Sequence, residues 1–261
     1  MLAIERKSEI LATLQREKSV LVAELSQKYN VTEETIRRDL DKLEKEGYVK
    51  KTYGGAVLSK NTSMEMPFKV RAKTNKQEKQ TIARLVQGTI EEGESIMLDS
   101  STTSLMVARN LKQYKNLTVI TNSVEILLEL SDCKGIKVIS TGGELRDSAL
   151  SLGGRQAEQM LERYNVDKAV LSCKGVSMEK GITDSNEPEA HIKGTMRECA
   201  KTTIWAIDST KFDNVSFVQL AKFQKGDIVV TDKPLEQRWQ EFFQDHAIQV
   251  VAYRKSDKVI D

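Results

Sequence analysis

Residues 31 to 55 read VTEETIRRDLDKLEKEGYVKKTYGG, and the fold of the first part of the chain turns on them. Thr32 is placed to cap a helix, and Glu33 and Glu34 follow in its first turn, where the helix dipole favours negative charge. Ile36, Leu40 and Leu43 recur at i, i+4 and i+7 and predict one buried stripe. The opposite face then carries Thr35, Arg38 and Lys42, with Arg37 on the flank. After Gly47 the pattern changes to the alternation of Tyr48-Val49-Lys50-Lys51-Thr52-Tyr53, closed by Gly54-Gly55. That predicts a two-stranded hairpin presenting lysines.

Working outward, Ile10, Leu11 and Leu14 mark a helix over 4–17, and Leu25 one over 22–29. Asn30 and Val31 leave room only for a turn before the arginine-bearing helix. Two helices, a turn, a third helix and a hairpin, in that order, predict a winged helix-turn-helix. An α-helix fits the major groove of DNA, where Arg pairs with a guanine edge through two donors and Lys or Thr more often holds phosphate. Thr35, Arg37 and Arg38 are the expected groove contacts, and Lys42, Lys50, Lys51 and Tyr53 the expected backbone contacts. Thr32 belongs to the same surface.

The chain has 261 residues, enough for two domains at ~150 residues each. Its formal charge of +2 is nearly neutral, so affinity for nucleic acid must come from where the charge sits. Between 37 and 60, seven basic residues face four acidic ones, and the excess continues through Lys69, Arg71, Lys73, Lys76 and Lys79. Cys133, Cys173 and Cys199 are too few and too widely spaced for a zinc or disulfide framework. No cofactor and no metal are expected. No apolar run approaches the ~18 residues of a membrane span, so a cytoplasmic protein without a membrane partner is expected.

Residues 58–75 contain Ser, Asn, Thr and Pro67 without periodicity and read as a linker, with Phe68 and Val70 docking it onto the second domain. From Gln77 onward short β-branched runs alternate with helical stretches. The runs are 95–98, 117–120, 136–139, 168–171, 203–207, 228–230 and 248–251, and helices are expected at 103–113, 123–131, 153–164, 187–200 and 234–245. This alternation predicts a mostly parallel, Rossmann-like sheet covered on both faces. The expected division is 1–57 for the winged helix, 76–252 for the second domain and 253–261 for a loose tail.

In such sheets ligands bind beyond the carboxyl ends of the strands. Here those ends are polar: Asp99 followed by Ser101, Thr102 and Thr103; Thr121-Asn122; Gly142-Gly143-Glu144; Cys173-Lys174; and Asp208 to Lys211. Hydroxyls and free amides at a helix start make an anion site. Gly142-Gly143 lets backbone approach a ligand closely, and Lys174 or Lys211 would neutralise a phosphate. Together these residues predict a small anionic, hydroxylated ligand.

Residues 5 to 57 resemble the DNA-binding domain of the DeoR family of bacterial transcriptional regulators. The resemblance rests on Glu5-Arg6, the TIRRDL of Thr35 to Leu40, Leu43, Gly47 and Tyr53 to Ala56. The remainder resembles that family's sensor domain through Asp99 to Thr103, Thr121-Asn122, Gly142-Gly143, Gly153 and the DSTKF of Asp208 to Phe212. Ser101 stands where the family usually has glycine. The resemblance implies a fold related to ribose-5-phosphate isomerase, glucosamine-6-phosphate deaminase and CoA-transferase. It further implies a repressor of carbohydrate metabolism genes, a double-stranded DNA operator, a phosphorylated sugar or related metabolite as effector, and a homodimer or homotetramer.

The competing reading is a sugar-phosphate isomerase or deaminase with an appended DNA-binding domain. General acid–base chemistry needs a positioned carboxylate or histidine, and the fourth strand end, Leu171 to Gly175, supplies no acidic residue. Asp184 to His191 faintly resembles the acidic, histidine-containing loop of the deaminases. Glu189 is its candidate ligand contact, set against a plain Glu189–Lys193 pair at i, i+4. Cys173 beside Lys174 reads either as an activated thiol or as a buried inert one. Trp205 is expected in the core, Trp239 in the core or an interface, and His246 in a structural role.

Overall fold

The computed structural model describes residues 1–59 and 61–253 and divides into two units, Met1–Asn75 and Lys76–Asp261. The tail expected at 253–261 lies, beyond Tyr253, outside the described residues.

The first unit runs α1 (Ala3–Glu17), β1 (Ser19–Leu21), α2 (Val22–Tyr29), α3 (Glu33–Lys45), β2 (Val49–Thr52), β3 (Gly55–Leu58) and α4 (Phe68–Lys73). Asn30 stops α2 by turning left-handed at φ 51°, a conformation Asn tolerates better than most residues. Thr32 is extended, and its Oγ1 accepts from the Thr35 amide at 3.3 Å, which starts α3. The predicted stripe is buried: Ile36, Leu40 and Leu43 pack with Ile10, Leu14, Leu25 and Val49. The hairpin β2–β3 is antiparallel, and β1 adds a third strand in the order β1-β3-β2. A Cβ on Gly55 would lie 2.0 Å from the Val20 carbonyl oxygen, so glycine is required for that pairing.

The stretch 58–75 is not a structureless linker. It carries α4, and Met66 and Val70 are buried in the first unit's core. Lys73 Nζ donates to Glu9 at 2.5 Å, and Thr74 Oγ1 donates to Gln15 at 2.8 Å. Six residues of helix are too few to show a period, so the apolar Met66, Phe68 and Val70 passed for linker residues.

The second unit begins with α5 (Lys76–Gln87), β4 (Ser95–Leu98), α6 (Thr102–Leu111), β5 (Leu117–Thr121), α7 (Val124–Leu130) and β6 (Ile136–Ser140). The hairpin β7 (Glu144–Arg146) and β8 (Ser151–Gly153), α8 (Arg155–Leu161) and β9 (Val166–Leu171) follow. Then come β10 (Gly175–Ser177), β11 (Gly181–Asp184), α9 (Glu187–Glu198), β12 (Ala200–Ala206) and β13 (Val218–Ala221). The unit closes with β14 (Ile228–Thr231), α10 (Gln237–Asp245) and β15 (Gln249–Ala252).

Seven strands form one sheet in the order β15-β14-β12-β9-β4-β5-β6, with every neighbouring pair parallel. The chain starts in the middle at β4, moves outward to β6, and returns on the other side of β4 as β9. The β4/β9 boundary is therefore the topological switch point, where a crevice opens beyond the strand ends. Ile96, Val119, Val170, Ile204 and Val229 fill the sheet interior, and Trp205, Trp239 and Phe243 lie in its core. The antiparallel β7–β8 and β10-β11-β13 pieces escaped sequence reading because each strand has only three or four residues.

Candidate functional site

Two groups of polar residues stand out, one in each unit. On α3, Arg37 and Arg38 point to solvent, while the neighbouring Asp39 and Leu40 turn inward. Arg37 donates to Glu33 at 2.6 Å and Arg38 to Glu34 at 3.2 Å. Lys42, Lys50 and Tyr53 are exposed, Tyr53 fully so at the hairpin tip, and Thr35 is half-buried with its hydroxyl 2.9 Å from that of Thr32. Lys51 is also exposed but is engaged: its Nζ bonds Asp41, and its amide donates to Glu44 at 2.8 Å. The Asp41 hydrogen bond raises the Lys51 pKa.

Asp39 explains how α3 is held. Its carboxylate accepts from Arg6 Nε of α1 at 2.6 Å, and both side chains are almost wholly buried. Sequence reading counted Arg6 only as part of a resemblance. The available signal was a carboxylate on the buried arc of α3 between Ile36 and Leu40, a position that calls for a cationic partner.

In the second unit the expected residues gather on the rim where β9, β4 and β5 end. Asp99 is fully buried. Its Oδ1 accepts from the Ser101 amide at 3.0 Å and Ser104 Oγ at 2.6 Å, and its Oδ2 from the Ser172 amide at 2.8 Å. Asp99 thus ties the loop after β4 to the loop after β9 across the switch point. Ser101 is extended and caps α6, its Oγ accepting from the Ser104 amide at 3.0 Å, so serine serves there without strain. Thr121 donates to the Leu98 carbonyl at 2.7 Å and accepts from the Ser123 amide at 3.1 Å.

A buried lysine that sequence reading did not assign sits behind this rim. Lys193 of α9 donates to Asp184 Oδ2 at 2.6 Å and the Ser172 carbonyl at 2.9 Å, and lies 3.5 Å from Asp99 Oδ2. Burial alone would lower its pKa, but the charges of Asp184, Asp99 and Glu189 win and raise it. Burial pushes Asp184 up, yet Lys193 and Lys174 hold it below the ordinary carboxylate range.

Lys193 therefore does not form the i, i+4 pair that was the alternative to a ligand contact at Glu189. Glu189 instead receives Ser100 Oγ at 3.0 Å, Ser151 Oγ at 2.7 Å and the guanidinium of Arg146. Lys211 Nζ donates to Ser172 Oγ at 2.9 Å and lies 3.3 Å from Asp208, whose pKa stays low because Lys211 and Lys79 outweigh its burial.

The remaining groups differ in availability. Asn122 is buried, its Nδ2 donating to the Leu152 carbonyl at 3.1 Å, while its Oδ1 has no partner among the described residues. Thr102 and Thr103 open α6, where the first amides have no carbonyl of their own helix to bond. Lys174 is half-buried, and Gly142, Gly143 and Glu144 are exposed. The close approach at Gly143 is internal: a Cβ there would lie 2.4 Å from the Gly153 carbonyl oxygen. Gly142 faces open space at φ 62°. Cys173 is not an activated thiol, because burial pushes its pKa up to about 12 despite Lys211. His191 is exposed, and Trp239 is in the core.

An exposed arginine helix with a hairpin beside it, carried on one chain with a parallel sheet whose polar rim lies at the switch point, defines a helix-turn-helix regulator with a sensor domain. The DeoR-like helix-turn-helix domain matches residues 6–62 and the DeoR C terminal sensor domain residues 74–233, so the chain belongs to the DeoR family of transcriptional regulators. The HTH-type transcriptional regulator YulB of Bacillus subtilis is 41% identical, covering 97% of both chains. The transcriptional repressor AccR of Agrobacterium fabrum is 33% identical over 87% of this chain and 89% of its own. A ribose 5-phosphate isomerase structure from Methanocaldococcus jannaschii aligns at 15% identity and TM-score 0.40, over 53% of this chain and 55% of that one, too loosely to bear on function. No helix among the described residues is long and apolar enough to cross a membrane.

Proposed function

We propose that this regulator is a repressor of carbohydrate metabolism genes, released or recruited by a phosphorylated sugar bound at the switch-point rim. The observation that carries the reading is the unpartnered Oδ1 of Asn122 on the loop after β5. It is a buried acceptor, next along the rim from the two open amides of Thr102 and Thr103. Buried acceptors are seldom left unmade, so a donor such as a sugar hydroxyl fits there. The α6 amides suit an anion, and Lys174 and Lys211 end the neighbouring strands on the other side. Asp99, Ser101, Thr121 and Glu189 then serve as scaffold, since their side chains are already hydrogen-bonded. Repression follows the sign named for the Agrobacterium relative.

Occupancy acts by favouring one of two arrangements of the protein, which requires different affinity for each. Thr35, Arg37 and Arg38 read the groove, and Lys42, Lys50 and Tyr53 hold the backbone. A homodimer on paired half-sites is the assembly this reading expects. A thermal-shift panel of pentose and hexose phosphates tests the sensor. One member should raise Tm by a few degrees at saturating concentration and lose the effect in Lys211→Met. A panel without a responder would end the sugar-phosphate reading. Turnover of any member, abolished by Glu189→Ala, would replace the sensor by an enzyme.

A further inference from the structure

Three exposed cations of α3 and the hairpin are already partnered by the protein's own carboxylates. Arg37 is held by Glu33, Arg38 by Glu34, and Lys51 by Asp41. At about 100° per residue, Glu34, Arg38 and Asp41 fall within roughly 60° of one another, on the side opposite the buried stripe. These acids are therefore on the surface that meets the duplex, not behind it.

We infer that Glu34, with Glu33 on the flank, is a specificity-determining residue that acts by weakening non-specific DNA binding, and that Asp41, by holding Lys51, lowers affinity for every duplex. The inference rests on the DNA-binding role of this unit. Non-specific affinity comes from cations that displace counterions from phosphate, with log K falling by about 0.9 per log unit of salt for each phosphate neutralised. A cation that must leave a carboxylate to reach phosphate contributes less than a full charge. The vacated carboxylate also remains near the phosphates. A guanine edge returns two directional hydrogen bonds to an arginine that makes the same exchange. The exchange therefore costs more of the non-specific affinity than of the specific affinity. The arginine-bound acids lower one and largely spare the other.

The test uses the full chain and two duplexes of about 30 base pairs, one of random sequence and one selected by the wild-type protein from a random pool. Glu34→Gln and Asp41→Asn should each raise affinity for the random duplex on the order of threefold to tenfold near 0.1 M salt. Each should steepen the salt dependence by up to about one unit of slope. In Glu34→Gln affinity for the selected duplex should rise less, so the ratio of the two falls, whereas Asp41→Asn, which frees a backbone contact, should raise both alike. Glu162→Gln, the same charge change on an exposed residue of the second unit, should move neither.

Unchanged random-duplex binding and slope in variants with wild-type circular dichroism would overturn the inference. So would an equal rise on both duplexes in Glu34→Gln, or a selective loss on the selected one, which would make Glu34 a mere support for Arg38. Failure of the wild type to bind any duplex would instead remove the DNA-binding role on which the inference stands.

Discussion

Arg38 of the first unit keeps 75% of its side chain in solvent and shares it with Glu34 at 3.2 Å. Lys193 of the second unit keeps 6% and is bonded to Asp184 at 2.6 Å with Asp99 close by. The first arrangement is a charge kept exchangeable. Surface pairs are worth ~0–1 kcal/mol, so Arg38 leaves its partner readily when a better acceptor arrives. The second is a charge that cannot leave, because either partner alone would be stranded in the interior. A surface proposed to recognise a polyanion and a rim that holds loops in register treat the same chemistry in opposite ways.

The largest effect should come from breaking the buried side of this contrast. Lys193→Met leaves Asp184 and Asp99 without their cation and is expected to cost about 3–5 kcal/mol in urea unfolding of the second unit. Asp39→Ala, which strands Arg6, should cost a similar amount in the first. The pH dependence has a definite sign. The folded pKa of Asp184 is depressed, so its contribution is whole above its unfolded value of ~3.9 and is lost as pH falls through the folded value. The folded pKa of Lys193 is raised, so its contribution is whole below the unfolded ~10.4 and is lost as pH rises through the folded value. The stability gap between wild type and Lys193→Met should narrow as pH falls, because burial raises the stranded carboxylates once their cation is gone and the folded variant takes up protons at higher pH than the wild type. A gap independent of pH down to 2 would show that the carboxylates do not depend on Lys193.

On the exposed side, Arg38→Ala should cost about 1–3 kcal/mol of binding to a selected duplex and blur discrimination at one base position. Undiminished selectivity would mean that the outward face of α3 is not the reading face. Lys50→Ala should weaken all duplexes alike and flatten the salt dependence by about one unit of slope, whereas Lys51→Ala, already held by Asp41, should flatten it less. Equal slopes would remove the distinction between the two lysines. The smallest effect is a negative one. At pH 8 a thiol reagent should label Cys133 and Cys199 well before Cys173, whose thiol is buried and held near 12.

The same contrast explains what was legible in the sequence. Outward arginines follow from the period of Ile36, Leu40 and Leu43, and the seven parallel strands from runs of Val and Ile, because a repeat carries its own register. The partners of buried charges come from residues far apart in the chain: Arg6 and Asp39, Lys193 and Asp99, Arg146 and Glu189. No spacing connects them. The Glu189–Lys193 pair suggested itself because four residues separate the two on one helix, yet both side chains turn to partners on other elements. Short strands such as Glu144–Arg146 were silent for a related reason: three residues do not make a pattern.

The Arg6–Asp39 bond has a practical side. It ties α3 to α1, around whose start Met1, Leu2 and Ile4 are exposed. An affinity tag or a proteolytic nick that displaces α1 should therefore disturb the placement of α3 and weaken DNA binding without touching an outward arginine. Preparations that differ only in how their leading end was engineered should therefore be compared on DNA before any discrepancy is credited to a metabolite.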